Sequence, residues 1–205
     1  MTDIYIDILD PRQQELVSLV SQFSSSFYLV GGTALALQLG HRRSLDFDLF
    51  SFQQFENQHI RNRIKKVRPI DQTVVDQRDE LTIIVHGVRC TFFCYPYRIP
   101  HPLPAVGALT MPDQLTIAAM KAFAIGRRAK WKDYVDLYFI FQHYALADVV
   151  GRATELFGHE VDEKIFREQL AYHKDINYTE EVVYMPGRHI PHKTILSSLL
   201  SISTS

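Results

Sequence analysis

The sequence predicts an α+β fold with an α/β-like core: a small mixed β-sheet flanked by helices, followed by a helical C-terminal half. Three observations predict it. Short β-prone runs alternate with helical stretches between Phe27 and Tyr95; Pro96, Pro100, Pro102 and Pro104 then interrupt regular structure; and beyond them the apolar residues recur at helical spacing. The boundary is expected near Ala105, dividing the chain into a sheet-bearing region 1–105 and a mainly helical region 106–205.

Asp10 before Pro11, with Gln13 at the third helical position, predicts a capped helix from Pro11 to Ser24. The run Phe27-Tyr28-Leu29-Val30 reads as a strand, the Gly31-Gly32 pair as a turn, and Thr33 to Leu39 as a short helix closed by Gly40. From Leu45 to Phe50 apolar and acidic residues alternate. A strand there places the Asp46 and Asp48 carboxylates on one face and Phe47 and Leu49 on the other. A helix is expected from Gln53 to Val67, and a hairpin from Leu81–Val85 and Val88–Tyr95 around His86-Gly87. In the second half Thr110 is expected to cap a helix starting near Met111, followed by helices over Lys132–Tyr144, Leu146–Phe157 and Val161–His173; the remainder, Tyr178 to Ser205, reads as a tail.

With 205 residues, 46% of them hydrophobic, the chain can bury a real core. The opening MTDIYIDILD is acidic and lacks the basic start and apolar run of a secretory signal, so a cytoplasmic location is expected. The apolar stretches around Thr116–Ile125 and Val135–Phe141 are too short and too interrupted by charge to imply a membrane role. Cys90 and Cys94 lack the companion ligands of a zinc site and are expected to be buried thiols. A net charge of -1 and a pI near 6.7 exclude a globally basic nucleic-acid binder. Basic patches remain at His41-Arg42-Arg43, at Arg61 through Arg68, and at Arg127-Arg128 with Lys130 and Lys132; the middle run reads as a solvated helix face.

Two aspartates at i and i+2 on a strand stand about 6 to 7 Å apart at their backbones. Their carboxylates repel unless something positive lies between them. A hard divalent cation serves, and Mg²⁺ is typically held by one or two carboxylates completed by phosphates and waters. The glycine pair supplies the complementary half, because residues without Cβ let phosphates approach backbone N–H groups at a helix start. Thr33 adds a hydroxyl. Either motif alone is commonplace; their order and spacing, with Asp46 fourteen residues after Gly32 in one short unit, make the combination specific.

The block GGTALALQLGHRRSLDFDLF, Gly31 to Phe50, resembles the signature of the AbiEii/AbiGii toxin group of nucleotidyltransferases, within the DNA polymerase beta-like superfamily. A second block is similar as well: Leu115 to Lys121, then Gly126-Arg-Arg, then Lys132-Asp-Tyr-Val-Asp-Leu-Tyr-Phe139. With Phe92-Phe-Cys-Tyr-Pro96 and the looser Leu170 to Asp175, the likeness extends over Phe27 to Val183. It implies an enzyme that moves a nucleotide from an NTP to an acceptor with Mg²⁺ or Mn²⁺. The acceptor would be RNA of tRNA type, and the setting a bacterial toxin–antitoxin or phage-defence module with a cognate antitoxin. By position, Asp46 and Asp48 would be the metal ligands, and Gly31, Gly32 and Thr33 the triphosphate contacts. Lys121 would neutralise phosphate charge, and Asp133 or Asp136 would be the late acidic residue.

The bare residues leave alternatives. Lys121 lies among Ala118, Ala119, Met120, Ala122 and Phe123, where a lysine either snorkels outward or meets an anion. Lys132 and Asp136 have the spacing of an ordinary surface pair. Arg42 and Ser44, beside the acidic strand, either orient substrate or cap a loop, and Trp131, Tyr134, Tyr138 and Phe139 read as core more readily than as a base-stacking platform. The resemblance also implies a third carboxylate near Thr91, where this chain has threonine, a poor proton acceptor near neutral pH. That role either passes to Asp136 or is missing. If missing, the chain would be a nucleotide-binding regulatory module or a transferase without turnover; a transferase acting on a protein hydroxyl is a further alternative.

Overall fold

The structure is a computed structural model and describes residues 4–125 and 128–205. The chain forms two compact units, Met1–Pro112 and Asp113–Ser205.

In the first unit helix α1 runs over Pro11–Val20 and continues as a 3₁₀ turn, Ser21–Phe23. Its start is the capping box read from the sequence: Asp10 accepts from the Gln13 backbone at 2.8 Å, and the Gln13 side chain accepts from the Asp10 N–H at 3.1 Å. Strand β1 (Tyr28–Val30) passes directly into helix α2 (Gly31–Leu39), which ends at Gly40 in the left-handed conformation, φ 59°. Then come strand β2 (Asp46–Ser51), helix α3 (Asn57–Lys65), and strands β3 (Gln72–Gln77), β4 (Glu80–Val85) and β5 (Val88–Cys94).

These form one five-stranded mixed sheet in the order β1-β2-β5-β4-β3. The β2–β5 pair is parallel; the others are antiparallel. The β4–β5 turn places His86 at φ 52° and Gly87 at φ 73°, the two left-handed residues that a two-residue hairpin of native twist requires. Phe47, Leu49, Leu81, Ile83 and Phe92 are completely buried on one face of the sheet. The ring of Phe92 meets Phe23 and Phe27 edge-on at centroid distances of 5.0 and 5.3 Å, so the 3₁₀ turn after α1 closes that face. Edge strand β3 was not anticipated from the sequence. Its largely exposed residues carry no clean alternation, and pairing with β4 alone makes it a strand.

The proline-rich stretch also contains order. Short strands β6 (Leu103–Pro104) and β7 (Thr110–Met111) pair with each other, and β7 packs on β1. This draws residues 106–112 into the first unit and puts the junction at Pro112–Asp113, not near Ala105. Thr110 is accordingly in a strand and caps no helix. Asp113 has that role, accepting from the Thr116 backbone at 2.7 Å to start helix α4 (Gln114–Ile125).

The second unit continues with helices α5 (Trp131–Ile140), α6 (Leu146–Phe157), α7 (Glu163–Ala171) and α8 (His192–Ser203). Helices α4 and α6 pack together and stack Phe123 on Phe157 with centroids 4.3 Å apart. Helix α8 overturns the expectation of a tail: Ile195 and Leu199, one turn apart, are fully buried where α8 meets α5 and α7. Among the described residues no helix is long and apolar enough to cross a membrane.

Candidate active site

Strand β2 alternates half-buried and buried positions along its length, with Asp46 and Asp48 on one face and Phe47 and Leu49 sealed on the other. The acidic pair is therefore displayed by a strand in the interior of the sheet. Its neighbours follow from register: Val30 lies across from Asp48 on β1, while Arg89 and Thr91 of β5 lie across from Asp46 and Asp48. Arg89 is exposed. The sequence reading missed Arg89, although it shares a face with Thr91 two residues on; only the parallel β2–β5 pairing identifies it as a neighbour of Asp46.

Because β1 pairs with β2 up to Val30, the next residue arrives at the acidic face. Gly31 has φ 71°, and a Cβ there would lie 2.4 Å from Asp48 Oδ2. A Cβ on Gly32 would lie 2.6 Å from Arg42 Nη2 and 3.0 Å from Ser44 Oγ. The two glycines thus bring the first turn of α2, with its unpaired N–H groups, against a carboxylate on one side and a guanidinium and hydroxyl on the other. Gly31, Gly32, Asp48, Arg42 and Ser44, chosen from the sequence, are brought together.

Thr33 is 1% exposed, and its hydroxyl donates to the Asp46 carbonyl while lying 2.9 Å from Ser44 Oγ. It ties α2 to the start of β2. Arg42 is 3% exposed and donates from Nη1 to the Arg43 carbonyl at 2.9 Å; His41 is completely buried. The His41-Arg42-Arg43 run is consequently no surface patch. In the basic run on and after α3, Arg61 pairs with Asp76, Arg68 with Glu15 at 2.7 Å, and the Arg63 guanidinium sits 5.4 Å from the centre of the Phe23 ring, while Arg63, Lys65 and Lys66 are exposed, as a solvated helix face. In the third patch Lys130 and Lys132 both pair with Glu180, and Arg127 lies outside the described residues, as does Gly126 of the second sequence block.

Cys90 is buried on the apolar face directly behind the acidic pair. Burial, then the charges of Asp46 and Asp48, push its thiol up to about 12. Cys94, expected to be buried, is only half-buried, because β5 ends there at the margin of the sheet.

The second sequence block assembles within the second unit. Lys121 on α4 places Nζ 2.7 Å from Asp133 Oδ1 and 2.6 Å from Asp136 Oδ2, both on α5 and one turn apart. All three are buried, Asp136 completely. The anion that Lys121 meets is this carboxylate pair, and Lys132 pairs with Glu180. Trp131 and Tyr134 are core residues, as expected.

Among the described residues no cluster of three or more His, Cys, Asp or Glu side chains forms a self-sufficient metal cage. Two carboxylates beside a helix start suit a cation that completes its coordination with phosphate oxygens and water. The fit is supported by the close approach of Gly31 to Asp48, where a Cβ would lie 2.4 Å from the carboxylate oxygen. A cavity of about 530 Å³ lined by Phe23, Phe27, Phe55, Ile60 and Arg63 includes none of these site residues.

Residues 16–107, spanning the glycine turn and the acidic strand, match the family model described as nucleotidyl transferase AbiEii toxin, type IV toxin–antitoxin system. The chain is 35% identical over 125 residues to the protein aq_aa25 of Aquifex aeolicus (strain VF5), an alignment covering 58% of this chain and 60% of that protein's length. Among solved structures it resembles MenT4, the nucleotidyltransferase toxin Rv2826c of Mycobacterium tuberculosis H37Rv, with TM-score 0.65 and 16% identity over 94% of this chain and 81% of that one. It also resembles JHP933 of Helicobacter pylori, with TM-score 0.57 and 14% identity over 94% of this chain and 89% of that one. At such identities the likeness is one of fold, and it bears out the mixed-sheet core followed by helices.

Proposed function

We propose, from the match of residues 16–107 to the AbiEii nucleotidyltransferase toxin model, that this chain transfers a nucleotide from an NTP to an RNA hydroxyl, as the toxin of a toxin–antitoxin pair. The observation that carries the reading is the contact geometry of Gly31 and Asp48. The backbone donors of a helix start and a strand carboxylate lie so close that a Cβ would not fit between them. A triphosphate bound at the α2 turn thereby comes beside the acidic pair.

Asp46 and Asp48 would hold Mg²⁺ or Mn²⁺, which would supply positive charge against the charge developed at phosphorus. Gly31 and Gly32 offer backbone N–H groups to the triphosphate, and Thr33 fixes their position relative to Asp46 through its bond to that residue's carbonyl. Arg42 and Ser44 line the Gly32 side of the turn and orient the phosphates. Exposed Arg89, across the ladder from Asp46, supplies positive charge for an RNA acceptor. Lys121, Asp133 and Asp136 form a second charged set within the second unit, and by the resemblance Lys121 would be its phosphate-neutralising member. Their burial as an ion-paired cluster supports a functional assignment, since such groups are costly to desolvate.

The test is incubation of purified protein with each α-labelled NTP, Mg²⁺ and total bacterial RNA, beside an Asp46→Asn, Asp48→Asn variant. Label on RNA that is absent with the variant and falls steeply with salt is the expected result. Label on protein redirects the acceptor assignment. NTP binding without any transfer favours a nucleotide-binding module, the reading to which Thr91 beside Asp48 points.

A further inference from the structure

An acceptor hydroxyl that attacks phosphorus must lose a proton, and the β5 residue beside Asp48 is Thr91, which cannot keep one. The ladder continues past it. Thr91 lies across from Thr82 on β4, and the two Oγ1 atoms are 3.4 Å apart. Thr82, 2% exposed, donates to Glu80 Oε1 at 2.9 Å. Glu80 lies two residues from Thr82 on the same strand, is half-buried, and therefore shares a sheet face with Thr82, Thr91 and Asp48.

Resting on the transferase reading, we propose that Glu80 is the proton sink of the reaction, reached through a hydroxyl relay of Thr91 and Thr82. An ionised carboxylate only accepts, so it takes the single proton of Thr82; the contact between the hydroxyls is then donated by Thr91, whose lone pairs are left to accept from the attacking hydroxyl. As the acceptor oxygen bonds to the α-phosphorus and the bond to pyrophosphate breaks, the acceptor's proton moves to Thr91, that of Thr91 to Thr82, and that of Thr82 to Glu80. One proton leaves the acceptor and one arrives on the carboxylate, with no other reactant. Glu80 acts through two hydroxyls and is a positioning residue; Thr91 is the member that touches the acceptor.

The experiment measures transfer of α-labelled NTP to total RNA by the full chain and by Glu80→Gln, Thr82→Val, the double variant and Glu80→Ala. Gln retains an acceptor for Thr82 but takes no proton. Removing a general base typically lowers turnover on the order of 10²-fold or more. A kcat loss of that order is expected in Glu80→Gln at unchanged KM for NTP, with the same loss in Thr82→Val and no further loss in the double variant, because groups acting in series do not add. Formate should restore part of the activity of Glu80→Ala, which a purely structural role would not predict. Activity of Glu80→Gln within twofold of the parent, or losses that multiply in the double variant, would overturn the relay while leaving the transferase reading intact. If the parent chain transfers no label, the transferase reading fails and the relay with it.

Discussion

Gly31 stands against Asp48 so closely that a methyl group on it would lie 2.4 Å from the carboxylate oxygen, in a backbone conformation, φ 71°, that L side chains rarely adopt. Two effects are combined at this one position: glycine permits the strand-to-helix corner, and its bareness permits the approach of the acid.

Gly31→Ala should therefore lose stability and transfer together. The left-handed backbone alone costs roughly 1–2 kcal/mol for a residue with Cβ. Gly158 is the control, since it has φ 60° with nothing within 4 Å of a built Cβ. Thermal melting should show both alanine variants destabilised, whereas labelled-NTP transfer, assayed well below either Tm, should be lost only in Gly31→Ala. Parent-like transfer by folded Gly31→Ala would show that the close approach to Asp48 is dispensable.

The lysine of the second unit carries a different expectation. Lys121 is 7% exposed and bonds two carboxylates that are themselves 3% and 0% exposed. Lys121→Met leaves those charges buried, with the exposed Arg128 3.8 Å from Asp133 Oδ2. Breaking a buried pair from one side typically costs about 3–5 kcal/mol. Denaturant unfolding should show a loss of that order at neutral pH, with partial recovery in Lys121→Met, Asp136→Asn. A loss below about 1 kcal/mol would place Lys121 outside the structural core of the unit and leave only its role toward phosphate.

Stability should also carry an acid limb traceable to one residue. Partial burial by itself would raise the Glu180 carboxyl, but hydrogen bonds and charge from Lys130 and Lys132 outweigh it and lower the group from 4.5 to about 2. A depressed folded-state value contributes stability that is present above the unfolded value and is lost as pH falls through the folded one. The Tm difference between the parent and Glu180→Gln should be constant near pH 6, shrink below pH 4.5 and vanish toward pH 2. The pairs are partly solvated, so the difference should also diminish in high salt. A difference that persists undiminished at pH 2 would assign the effect to packing.

The acidic strand, the glycine turn, the capping box at Asp10 and the His86-Gly87 hairpin were all legible in the sequence. Each is governed by contacts within a few residues: alternation on a strand, a short side chain reaching its own helix start, left-handed residues at a tight turn. Strand β3, the β6–β7 pair and helix α8 were not legible. Gln72–Gln77 is a strand because β4 offers it partners, and Ile195 and Leu199 are core because α5 and α7 cover them.

The sequence by itself determined the local geometry of the candidate residues, since Asp-x-Asp on a strand fourteen residues after a glycine pair is a statement about local geometry. Only the tertiary structure decided what surrounds them. The parallel pairing of β2 with β5 sets Arg89 and Thr91 beside the two aspartates and extends the same face to Thr82 and Glu80, while folding buries His41 and Arg42, which looked like part of a surface patch. The physical reason is the same in each case. Register and burial are set by pairing between segments far apart in the chain, and no periodicity within either segment encodes which partner it will find.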